Sequence, residues 1–82
     1  MKLSPDLVHE LEVLSLFPRE STTLGLKIHH DADPDHVAAA KRLFEKDLTT
    51  LEDGGYLTDL GIEAADLGQA LLSILQPRDS EA

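Results

Sequence analysis

A mostly α fold, a three-helix core with a short β element, is what this chain predicts, and three observations carry it. Helix-start signals stand at Ser4-Pro5, Asp33-Pro34 and Thr58. Apolar residues follow each start at three- and four-residue spacings, and proline or glycine stands where each run should stop. With 82 residues the chain is expected to form a single small helical domain over 1–82, with helices at about 5–17, 34–52 and 59–75.

The first helix opens with Ser4 as cap, Pro5 at a position where no hydrogen bond is lost, and Asp6 beside the positive helix end. Leu7, Val8, Leu11 and Leu14 form its apolar stripe, with Phe17 before Pro18. In the next stretch Leu24, Leu26 and Ile28 alternate with polar or small residues, which favours a strand over 23–29. The rival is a short helix near Glu20–Leu26, disfavoured by Thr22, Thr23 and Gly25. The longest helix is expected from Pro34 to Glu52, with Val37, Ala40, Phe44, Leu48 and Leu51 inward and Gly54-Gly55 closing it. Tyr56-Leu57 reads as an extended step, and Thr58 caps a final helix carrying Leu60, Ala64, Leu67, Leu71, Ile74 and Leu75. Residues 78–82 are expected to fray. The three rings Phe17, Phe44 and Tyr56 are each expected to anchor packing.

Composition bounds the function. Net charge is −9, of which residues 43–82 carry nine acids against two bases. Such a field repels phosphate backbones and anionic lipid, so nucleic acid is disfavoured as a partner and no membrane is expected. There is no cysteine, so thiolate metal sites are excluded, and the N-terminus lacks the apolar run of a signal peptide. The expected compartment is the cytoplasm. No nucleophile motif, phosphate loop or His-Glu-x-x-His pattern is present, and a domain this small is expected to lack a water-excluding pocket of several hundred cubic ångströms. The expectation is therefore no enzyme and no cofactor.

Three groups of residues stand out. His29, His30 and His36 surround an acidic run and are zinc-ligand types, but an exposed loop with Asp33 capping a helix accounts for them better. Asp31-x-Asp33-x-Asp35 resembles the start of a calcium loop, but His36 and Arg42 occupy the Gly and Glu positions, which rejects an EF-hand. Lys41, Arg42 and Lys46, with Lys27 and Arg19, are the only basic cluster that could meet DNA phosphates. Gly61, Ala64, Ala65 and Gly68 place two helix-weakening glycines in the final helix, which predicts close packing of that face within the chain or, less favoured, against a second copy.

Residues 48–75 resemble the end of a winged-helix domain. Leu51 and Glu52 match the last pair of a recognition helix, Gly55 and Tyr56 the turn into a wing strand, and Leu57, Thr58 and Gly61 the Leu-Thr-x-x-Gly entry to a closing helix. The resemblance covers about a third of the chain and implies a winged-helix-like fold that contacts DNA through the long helix. It leaves only Gly55 to Thr58 for the wing. The whole chain also resembles a family of short uncharacterised bacterial proteins, some labelled DNA-binding or inhibitors of helix-loop-helix factors, mainly through residues 56–71. From charge and the small-residue face the leading expectation is a module that binds another protein, itself or a basic partner, with winged-helix-like DNA binding as the alternative.

Overall fold

The computed structural model describes residues 2–17 and 25–76. Its elements run α1 (Pro5–Leu14), β1 (Leu26–Lys27), α2 (Pro34–Glu45), β2 (Thr49–Leu51), β3 (Gly54–Leu57) and α3 (Asp59–Leu75). Pro18, Arg19, the rival helix start at Glu20, residues 23–24 of the expected strand and the 78–82 tail lie outside the described residues.

All three helix starts form as their side chains dictate. The Ser4 hydroxyl accepts from the Leu7 amide at 3.2 Å, the Asp33 carboxylate from the Asp35 amide at 2.9 Å, and the Thr58 hydroxyl from the Gly61 amide at 3.0 Å. Each bond satisfies a helix N–H that has no partner inside the helix.

The ends depart from expectation. The helix expected over 34–52 stops at Glu45. Asp47 takes φ 66°, the Asp47 amide donates to the Phe44 carbonyl, and the Leu48 amide reaches back to the Leu43 carbonyl at 3.0 Å. That double closure is the usual left-handed helix ending, with Asp where glycine is commoner. The chain leaves it extended, and the β-branched pair Thr49-Thr50 enters β2. Gly54 and Gly55 therefore close no helix; they stand in β3 with φ of 123° and 72°. A side chain at Gly54 would meet the Leu26 carbonyl oxygen across the sheet at 2.5 Å, so the position needs glycine both for space and for conformation.

The sheet order is β1-β3-β2, antiparallel throughout, with Leu26 opposite Gly55 and Thr49 opposite Leu57. The expected strand over 23–29 is thus a two-residue edge strand. The predicted extended step at Tyr56-Leu57 is the end of a hairpin, and its other arm, β2, takes residues that helical periodicity places at the end of the long helix.

The core lies where α1 and α2 cross, with α3 and the sheet closing it. Val13, Phe17, Ala39, Ala40 and Leu43 are its buried centre. Leu43 and Ala39 replace Phe44 and Leu51 as the inward residues of α2; Phe44 is half-buried and Leu51 is exposed. Of the three rings only Phe17 is fully inside, and Tyr56 stands on the outer side of β3. The expectation that α3 buries its leucines is also overturned: Leu60, Leu67, Leu71, Ile74 and Leu75 are all exposed. What α3 turns inward is its small side. Gly61 and Ala65 are buried, Ala64 packs on the core edge, and a Cβ on Gly68 would touch the Leu11 side chain at 3.4 Å.

Gly61 explains that choice. A Cβ at this position would overlap the Leu48 carbonyl oxygen, which is backbone and cannot rotate away. Only glycine lets α3 sit against the end of α2. Gly61→Ala is expected to lower unfolding stability by about 1–3 kcal/mol despite alanine's better helix propensity. Urea unfolding followed by circular dichroism checks it, and an unchanged or raised midpoint would show that the close approach is dispensable.

Candidate interaction surface

The basic residues do not share an exposed face. Arg42 and Lys46 converge on one carboxylate of α1, Glu10, whose side chain is only 7% exposed. Arg42 Nε donates to Glu10 Oε2 at 2.7 Å, Lys46 Nζ donates to Oε1, and the Arg42 guanidinium also reaches the Asp6 carbonyl at 3.2 Å. Burial alone would raise the Glu10 carboxyl, but the hydrogen bonds and charges of Lys46 and Arg42 outweigh it and hold it below its ordinary value. The same contact to Glu10 raises Arg42. Lys27 pairs with Asp53 at 2.9 Å, and that hydrogen bond lowers the Asp53 carboxyl. Lys41 is exposed on another side of α2. Arg19 lies outside the described residues. The expected patch of Lys41, Arg42, Lys46 and Lys27 is in this way taken apart, because α1 brings an acid to two of its members.

The histidines are also separated. His36 Nε2 stands 2.9 Å from Glu12 Oε1 across the α1–α2 seam, and His9 Nε2 is 3.6 Å from Asp35 Oδ2. The His9 and His36 rings meet edge to face at 6.2 Å. His29 and His30 are exposed in the loop before α2. Among the described residues no three histidines or acids are grouped to hold a metal ion.

An open cleft of about 630 Å³ lies between α2 and the tip of the β2–β3 hairpin; it is not the water-excluding pocket that a domain this small is expected to lack. Ile28, Val37 and Ala40 form its floor, Lys41 and Leu51 its lips, and the Lys27–Asp53 pair one end.

The larger uncovered surface is on α3. Leu60, Leu67 and Leu71 are 53%, 65% and 52% exposed, and Ile74 and Leu75 more so. Single exposed apolar residues are ordinary, but a continuous line on one helix is not. Glu63 lies next to it, with Asp59 and Asp66 further round the helix, so the apolar line has its acids on one side. Amphipathic periodicity points these leucines at the core, and their 4-3-4-3 spacing with Ala64 is the signal that a second face exists. Glu10 does not stand out by residue type, although its spacing to Val13, Leu14 and Phe17 marks it as lying on the inner side of α1.

Residues 1–76 fit the family of unknown function DUF5669, and the chain belongs to that family. No curated protein matches the chain, and no solved structure matches it. Among the described residues no helix is long and apolar enough to cross a membrane.

Glu10 carries a pH dependence whose sign follows from its lowered carboxyl. Ionised Glu10 stabilises the fold fully above the ordinary glutamate range, and that contribution is lost as pH falls through the carboxyl's lowered native value. Glu10→Gln should cost about 1–3 kcal/mol at pH 7, with the difference from wild type shrinking towards about pH 3. Paired urea titrations at the two pH values check it, and a gap that stays constant would mean that the charge on Glu10 contributes nothing.

Proposed function

We propose that this chain is a non-enzymatic protein-interaction module whose working surface is the exposed apolar line of α3 and the acids beside it. The observation that carries the reading is that line: leucines and an isoleucine held in solvent on a helix whose other side is locked into the core by Gly61, Ala65 and Gly68. Such a face suits an amphipathic helix, which would bury its apolar side on Leu67 and Leu71. The polar side chains that meet elsewhere support the non-enzymatic part. Glu10 with Arg42 and Lys46, Lys27 with Asp53, and His36 with Glu12 satisfy one another across elements, as structural pairs do.

Charge selects among helical partners. With nine acids and two bases in residues 43–82, a cationic helix gains attraction that an acidic one does not. A synthetic peptide helix with leucines at heptad spacing and lysines beside them should shift the backbone amide resonances of α3 and bind more weakly as salt is raised. Leu67→Glu should weaken that binding about tenfold or more. Shifts confined to other elements, or an affinity unaffected by Leu67→Glu, would move the working surface elsewhere.

A second reading, a winged-helix-like DNA-binding protein, draws on the hairpin. β2 and β3 give a longer wing than Gly55–Thr58 alone, they follow α2 directly, and α3 comes after them as the closing helix that the resemblance implies. Lys41 would then contact phosphate from α2, with Arg42, Lys46 and Lys27 drawn from their acid partners. Duplex binding that weakens with salt and falls on Lys41→Glu is expected of it. No binding to mixed duplex fragments at low salt would remove it.

A further inference from the structure

We infer that the natural occupant of the α3 face is α3 of a second copy of this chain; the inference rests on the interaction reading above and names its partner. Leu60, Ala64, Leu67, Leu71 and Ile74 follow one another at steps of four, three, four and three residues. That alternation is the heptad seam of paired helices, in which each side chain enters a gap between four residues of the facing helix. A helix carrying the same register fits this one, and the chain itself supplies it.

Area points the same way. The exposed parts of the α3 side chains amount to roughly 500 Å², already at the upper range of the largest apolar patch on an ordinary monomer. Leu7 and Val8, also exposed, lie one turn along α1 from Leu11, the residue packed on Gly68, and Leu3 precedes them. Two α3 faces meeting would bury roughly 1,000 Å² in total, the low end for a specific interface, which suits a pair that dissociates on dilution.

α3 carries Asp59, Glu63 and Asp66 and no base, so two copies repel beside the line, and the pairing rests on the apolar seam and strengthens as salt screens that repulsion. Asp59 and Asp66 lie around the helix from the line, and Glu63 borders it, so no acid occupies any of the five seam positions. Ala64 leaves room for a leucine of the facing helix, and the two glycines pack into the chain's own core. The two sides of α3 therefore act separately, with small residues turned inward to their own domain and branched residues turned outward to the second copy.

Sedimentation equilibrium of the full chain tests this. The 9.0 kDa polypeptide is expected to show the mass of two chains, dissociating on dilution. The double variant Leu67→Glu, Leu71→Glu should sediment as one chain with unchanged helical circular dichroism, because both positions are exposed in the single domain. Leu51→Glu, exposed on the hairpin, should remain a dimer. A wild-type chain that stays at one-chain mass over all concentrations overturns the inference, even where the cationic peptide binds α3 and the interaction reading stands. A dimer that persists in the double variant also overturns it, since the contact is then elsewhere. Loss of helicity in the double variant is resolved by Leu67→Cys in this cysteine-free chain, treated with a mild oxidant: rapid disulfide cross-linking between copies supports the seam, and its absence in a two-chain species refutes it.

Discussion

The turn at Asp47 and Leu48 holds the rest of the structure in place. Leu48 closes α2 through its amide on the Leu43 carbonyl, and its own carbonyl accepts the Thr58 amide at 3.1 Å. The Thr58 hydroxyl donates to the Asp47 carbonyl at 2.7 Å while accepting from Gly61. One short stretch thus ends a helix, anchors the return of the hairpin and seats the start of α3. Because the Leu48 carbonyl lies against Gly61, the rotation of α3 about its own axis is decided there. Every residue further along α3 inherits that rotation, so the inward side receives Ala65, Gly68 and Leu72 and the outward side receives Leu67, Leu71 and Ile74.

The electrostatics follow a similar division between inside and outside. A carboxylate as enclosed as Glu10 would be costly alone, and it is tolerated because two cations from α2 meet it. The consequence reaches the surface. Arg42 and Lys46 are engaged by Glu10 and Asp6 of α1, and Lys27 by Asp53, so each of these cations is matched by an acid and the exterior presented to partners keeps the excess of acids. The cationic lip of the cleft reduces to Lys41, while α3 keeps Asp59, Glu63 and Asp66 on one side of its apolar line. Charge and apolar exposure therefore coincide on the same helix.

Starts are legible in the sequence and stops are not, for a physical reason. Ser4, Asp33 and Thr58 act on amides three residues away or fewer, so local spelling is enough to predict them. The end of α2 depends on Asp47 adopting a left-handed conformation, which aspartate does only when its surroundings compensate, here through Thr58 from beyond the hairpin. Gly54-Gly55 is the stronger local signal and carries the predicted helix past Glu45, where it ends. The basic cluster shows the same limit: the spacing of Arg42 and Lys46 places them together, but Glu10, from another helix, decides what they face. Periodicity along α3 is ambiguous in itself, because both of its long sides are apolar and differ only in size.

That difference in size has an energetic meaning. Burying alanine and glycine removes little apolar area, while leaving leucine and isoleucine outside forgoes about 25 cal/mol for every Å² that could be covered. A sequence optimised for an isolated domain would turn α3 by about a third of a turn and put glycine elsewhere. Here two interior glycines, each costing about 1 kcal/mol of helix propensity, hold the opposite orientation. A small domain has little stability to forgo in this way. A partner of the kind proposed, covering the outward side, would recover apolar area that the inward side forgoes. In this fold the small inward side of α3 and its exposed apolar line are parts of one solution, with the domain's own packing at Gly61 fixing the helix so that the line stays outward.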